Sequence, residues 1–227
     1  MIVAAAFCPN PPVLIPGLAQ GAAPELDDLR RACHSAITRL GSSGAPIVVI
    51  GSGSSTRRHD ATARGTFAGY GIALEVGLGA DEPGPLELPL SLTVGAWLLR
   101  AALGANCGAR GVSVADDTGG LSGIGTAGDV ALLVMGEGSA RRSTAAPGYL
   151  DERAEPFDAA VEAALRSGDP STLATLDAAL GAELLAAGVP AWRAAGELAQ
   201  GRYAGELLYA AAPYGVGYFV ATWTPLR

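Results

Sequence analysis

Imidazole and thiol chemistry in this 227-residue chain is confined to His34, His59 and three cysteines, Cys8, Cys33 and Cys107. All 15 basic residues are arginine, which excludes Schiff-base chemistry, a Walker-type phosphate lysine and a lysine general base. The cysteines are odd in number and far apart, the pattern of neither a zinc ribbon nor a disulfide framework. The most site-like stretch is residues 136–160, GEGSARRSTAAPGYLDERAEPFDAA, directly after the apolar run 130–135. A buried strand running into small residues and two arginines, Arg141 and Arg142, is how an α/β enzyme presents a site loop. Ser139 lies one place off a G-x-S-x-G elbow, and the closing glycine is missing.

The second polar stretch, residues 47–60 (IVVIGSGSSTRRHD), joins a strand to a glycine-rich turn and Arg57-Arg58. It lacks the third glycine of a dinucleotide fingerprint and the lysine of a P-loop, so it reads as an ordinary βα turn. His59-Asp60 reads as a solvated loop pair, since neighbours in sequence usually point apart. His34 belongs on the flank of a helix. Asp116-Asp117 could bind a cation, but a turn capped by an aspartate is the cheaper account.

These residues need elements to hold them. Strands are expected at 2–7, 47–50, 72–76, 112–115, 130–135 and 217–222. Helices are expected at 23–40, 92–103, 156–166, 171–187 and 191–199, the last two separated by Gly188 as a C-cap and Pro190 as a breaker. Apolar strands alternating with helices predict a three-layer α/β/α fold around a mostly parallel or mixed central sheet, one domain over residues 1–227. Residues 77–89 read as an acidic Gly/Pro surface loop. Composition agrees: 49% of residues are hydrophobic and 16% charged, ample for one core. The net charge of −7 argues against a nucleic-acid partner. No apolar run reaches the ~20 residues of a membrane span. Residues 1–7 read as a first strand rather than a signal peptide, so the expected location is cytoplasmic.

Three segments, in order along the chain, carry a resemblance. AAAFCPNPPVLIPGLAQG resembles the opening of the class III extradiol ring-cleavage dioxygenases, the LigB-like catalytic subunits, and their Memo-like relatives. GEGSARRSTAAPGYLDERAEPFDAAVEAALRSGD resembles their Gly-Asp-x-Ser-His-Arg segment with its later Ala-Pro-x-Gly-Tyr and Phe-Asp stretches. APYGVGYFVA resembles their closing turn and strand. The resemblance implies a non-haem Fe(II) held by two histidines and a glutamate, with a further histidine as acid–base. Carried onto this chain, the first histidine position is Asn10, the second falls on or near Ser52, and the acid–base position is Ala140. The glutamate matches Glu206, with Glu197 as the competing alignment.

An Asn carbonyl and a Ser hydroxyl are weak iron ligands, so no metal is expected. The expectation is a degenerate family member whose cleft, lined by Asn10, Ser52, Ser139, Arg141 and Glu206, binds a small polar or anionic ligand. Arg141 or Arg142 would supply the charge partner. The alternative is an active Fe(II)-dependent or other metal enzyme with a relocated site, in which His59, Asp60 and Glu206 (or Glu137) converge. The third reading is a non-catalytic subunit, as a homodimer or within a hetero-oligomer, with Trp97, Trp192 and Trp223 capping an interface.

Overall fold

The apolar runs become the centre of a seven-stranded sheet. A computed structural model describes residues 1–79, 84–104, 107–115 and 128–226. In chain order the strands are β1 (Ile2–Cys8), β2 (Ile47–Ser52), β3 (Arg57–His59), β4 (Arg64–Thr66), β5 (Glu75–Gly77), β6 (Arg110–Val114), β7 (Val130–Met135), β8 (Tyr203–Ala211) and β9 (Tyr218–Pro225). The helices are α1 (Pro16–Ala19), α2 (Asp27–Gly41), α3 (Leu90–Leu103), α4 (Ala154–Ser167), α5 (Pro170–Ala174), α6 (Ala178–Glu183) and α7 (Val189–Leu198). The sheet order is β3-β6-β2-β7-β1-β9-β8. β6, β2, β7 and β1 run parallel, while β3 at one edge and β9-β8 at the other run antiparallel. All six residues of β7 are buried, as a parallel strand covered on both faces requires.

Alternation along the strands feeds two cores. Phe7, Leu132 and Val134 join residues of α4, α5 and α7, including Trp192, on one face. Cys8, Leu133 and Met135 join α2 and α3 on the other. The result is the expected three-layer α/β/α architecture with a mixed sheet. Among the described residues, no helix is long and apolar enough to cross a membrane.

Several local expectations are corrected. β5, foreseen as a longer strand over 72–76, keeps three residues and pairs only with β4 in a separate two-stranded sheet. The segment after β2 is not a βα turn: it folds back as β3, antiparallel to β6. The helix expected over 171–187 is broken into α5 and α6, because Asp177 caps a new start by accepting from Leu180 N–H at 3.0 Å. Gly188 is the N-cap of α7 with Pro190 in its first turn, not a C-cap. β8 is absent from the expected strands altogether. Trp192 and Trp223 are core residues, each 1% exposed, and cap no interface. Asp116-Asp117 and residues 80–83 of the acidic loop lie outside the described residues.

Candidate functional site

β1 and β7 lie side by side, yet their chains leave in opposite directions. β1 passes through α2, on one face, to β2; β7 passes through α4, on the other face, to β8. Diverging connections open a crevice at the carboxyl ends of such neighbouring strands, the usual ligand position in an open α/β sheet. Gly136 N–H donates to Cys8 C=O at 2.9 Å, extending the ladder to the crevice edge. The next residues of the two chains, Asn10 and Glu137, meet there.

Glu137 is the distinctive group. Burial pushes its carboxyl up to about 7 from 4.5, and the opposing contribution comes from the Asn10 backbone N–H. Its backbone is fixed, since Gly188 N–H donates to Glu137 C=O at 2.9 Å. Two further bonds, Gly138 N–H to Gly217 C=O at 2.7 Å and Gly217 N–H to Ser139 C=O at 2.9 Å, clamp the start of β9 beside it. The clamp delivers Tyr218, which is 2% exposed. Burial first, and then the charge of Glu137, push the Tyr218 hydroxyl well above its ordinary value. On the other side of β7, Ser52 ends β2. Asn10, Glu137 and Ser52 thus come from three adjacent strand ends, about 10 Å from first to last at ~4.8 Å per strand.

The remaining expected cleft residues do not join them. Ser52 itself is partly committed: its hydroxyl donates to Ala187 C=O at 2.5 Å. Ser139 is fully buried, donating to Leu184 C=O at 2.8 Å and accepting from Arg141 N–H at 3.1 Å. It belongs to the frame, as a small hydroxyl folded into its own loop. Arg142 is locked to Asp158 at 2.9 Å. Asp158, 1% exposed, also accepts Ser139 N–H at 2.8 Å, and burial outweighs these contacts to raise its carboxyl pKa. A Cβ on Gly138 would stand 2.6 Å from Asp158 Oδ1, so glycine is required for this close approach. Arg141 helps hold the Asp151 carboxyl low, behind the larger effect of Arg153. Arg142 is therefore no free charge partner at the crevice, whereas the Arg141 guanidinium makes no ion pair among the described residues and its Nε is buried without a hydrogen-bond partner.

Glu206 sits in the body of edge strand β8, exposed, bonded to Arg39 of α2 at 2.6 Å. It lines a separate cavity of about 290 Å³ with Thr222, Trp223 and Thr224. Register explains the displacement: Glu206 pairs with Thr222, which pairs with Ala6 within β1, not with its end. Glu197 is exposed on the last turn of α7.

The relocated metal site is corrected by topology. His59 is on β3 and Glu206 on β8, opposite edges of seven strands and roughly 29 Å apart at six interstrand steps. Glu137, just beyond the end of β7, is three interstrand steps from β3. His59 is no loop residue either. It is 3% exposed, with Nδ1 3.1 Å from Glu87 and Nε2 3.2 Å from Ser113 Oγ. Asp60 is exposed and accepts from the Thr62 N–H at 2.8 Å, a turn-capping role. His34 lies exposed on the flank of α2, as expected. His59→Ala is expected to cost about 1–3 kcal/mol by removing a partner of the buried Ser113 hydroxyl and leaving Glu87 with Arg57 alone. Urea denaturation measures that loss, and ligand binding at the crevice should not change.

Two histidines and a carboxylate are what an extradiol iron centre needs. The residues that the resemblance would set in those places are an amide, a committed hydroxyl and a carboxylate tied to Arg39, with the methyl of Ala140 where it would set the acid–base group. Such donors do not fit Fe(II). Among the described residues, no group of three or more His, Cys, Asp or Glu side chains is arranged to hold a metal ion. Comparison with models of protein families and with curated proteins finds no match to this chain.

Two residues of this region, Tyr218 and Asp158, escape a reading of the sequence, and Glu137 enters it only as an alternative ligand. Glu137 had the best signal, a carboxylate immediately after a six-residue apolar run. Asp158, inside an amphipathic helix, had none.

Proposed function

We propose that this chain is a diverged relative of the LigB-like extradiol dioxygenases that binds a small polar ligand between the ends of β1 and β7 without cleaving an aromatic ring. The observation that carries the reading is that Asn10 and Ser52, where the resemblance would place imidazole donors, stand at strand ends beside the half-buried Glu137. The three-segment resemblance and the strand-end crevice support it. Arg142 is held by Asp158, which leaves Arg141 as the charge partner for the anionic part of the expected ligand range.

The test is metal content and turnover. Protein produced with iron and zinc available is expected to carry well under one metal ion per chain. Oxygen uptake with catechol or protocatechuate should stay at the blank. One iron per chain together with ring cleavage above blank would overturn the reading.

A further inference from the structure

The last turn of α2, the first half of β1 and the two edge strands β9 and β8 surround the hollow of about 290 Å³ that contains Glu206. Register sets its walls. Ala204 pairs with Thr224 and Glu206 with Thr222, so these four side chains share one face of the hairpin. Thr222 also pairs with Ala6, whose side chain lies in the core on the α2 side, so this face is turned to α2. Ala204, Glu206 and Thr224 are nevertheless exposed and Thr222 is half-buried, because α2 ends at Gly41 and leaves this corner of the sheet uncovered. Ala4, Ala5 and Ala204 carry too little bulk to fill it.

Opposite charges stand side by side in this hollow. Arg39 Nη1 donates to Glu206 Oε2 at 2.6 Å, with side-chain exposures of 49% and 59%. That contact uses one nitrogen of the guanidinium and one oxygen of the carboxylate. Among the described residues neither side chain makes another hydrogen bond, so Arg39 Nε and Nη2 and Glu206 Oε1 keep their capacity. A half-exposed pair of this kind does little for stability, so its value to the fold is small. A ligand that complements it carries an anion and a cation a few ångströms apart, the anion for the planar guanidinium fork and the cation for the carboxylate. The volume falls at the lower end of the ~300–1,000 Å³ range of small-molecule pockets, which limits the ligand to a small one.

We propose that this hollow binds a free α-amino acid with an apolar side chain, its carboxylate on Arg39, its ammonium on Glu206 and its side chain against Leu40, Ala4 and Ala5. The four charges then alternate around a square, and the Arg39–Glu206 contact need not break. A ligand with only one of the two charges meets one attractive and one repulsive neighbour. The site lies toward the start of β1, away from the crevice at its carboxyl end, and is independent of what that crevice binds.

Three probes of similar shape separate the charges: L-leucine, its methyl ester (cation only) and N-acetyl-L-leucine (anion only). Each is titrated at neutral pH into the isotope-labelled full chain and followed by amide NMR shifts. Leucine is expected to shift the amides of residues 204–206 and 222–224 and to saturate below about 10 mM. Each single-charge analogue should bind about tenfold or more weakly. Glu206→Gln should remove the preference over N-acetyl-leucine, and Arg39→Gln the preference over the ester. Ala204→Phe leaves both charges in place but fills the hollow, and should abolish binding. The proposal is overturned by leucine shifts that do not saturate or that map elsewhere, by an analogue that binds as well as leucine, or by an Ala204→Phe protein that still binds. The wild-type trio decides the matter even if a variant fails to fold.

Discussion

Asp158→Ala is expected to destabilise the fold by about 3–5 kcal/mol, the range for stranding one member of a buried ion pair. The carboxylate is 1% exposed and makes two contacts at once, to the Arg142 guanidinium and to the Ser139 backbone N–H. Removing it leaves Arg142 with only the looser contact to Glu155 at 3.7 Å, and a guanidinium cannot shed its charge. Arg142 side-chain exposure of 23% gives it some access to water, which places the loss toward the lower end. The reciprocal variant, Arg142→Ala, should cost less below neutral pH, because Asp158 is already pushed toward its protonated form and can become neutral. Urea unfolding of both variants at pH 5 and pH 8 measures the asymmetry. Equal losses at both pH values would mean that the pair is not what holds residues 136–142 in place.

How much of this was readable in the sequence depends on which force set each element. The strands at 2–7, 47–50 and 130–135 were visible because burial on both faces demands unbroken apolar runs. β8 was invisible for the opposite reason. Tyr203–Ala211 is an edge strand with a Gly, a Glu and several Ala, held by its pairing to β9 rather than by its own pattern. β3 likewise exists because β6 offers it an edge, and its residues, Arg57-Arg58-His59, carry no strand signature. The break between α5 and α6 was written as an aspartate, Asp177, at a capping position inside a helical pattern.

The candidate site divides along the same line. Strand ends are local, so Asn10 and Ser52 fall where their strands place them, at the carboxyl edge of the sheet. Convergence is not local. Sheet order alone separates His59 from Glu206 by six interstrand steps, and no spacing in the sequence encodes that order. The sequence reading put Ser139 in the cleft because it stands in a polar loop. The structure buries it because a hydroxyl can satisfy Leu184 C=O and Arg141 N–H at once. Glu137 was weighed only as a spare ligand, since nothing in the string of residues shows that Gly136, Gly138, Gly188 and Gly217 let three backbone segments pack together beside it.

That enclosure gives the second large effect, a stability difference between the wild type and Glu137→Gln that grows with pH. In the folded protein the Glu137 carboxyl keeps its proton up to about 7, against 4.5 for an ordinary glutamate. Below about 4.5 both folded and unfolded chains hold the proton, and the two proteins should be nearly equal in stability. Between those values the unfolded chain releases the proton and the folded chain does not, so wild-type stability falls as pH rises. Above about 7 the full cost is present, on the order of 3 kcal/mol for a shift of about 2.5 units at 1.36 kcal/mol each. Gln keeps the shape and an acceptor for Asn10 N–H but carries no charge to desolvate. The variant is therefore expected to be more stable than the wild type by about 3 kcal/mol at pH 8 and by almost nothing at pH 4.5. Other carboxylates act in the reverse sense: Glu87, beside Arg57, and Asp60, bonded to Thr62, have lowered pKa values and stabilise as pH rises. They are common to both proteins and cancel in the difference. Parallel curves for the two from pH 4.5 to 8 would show that Glu137 is solvated in the fold.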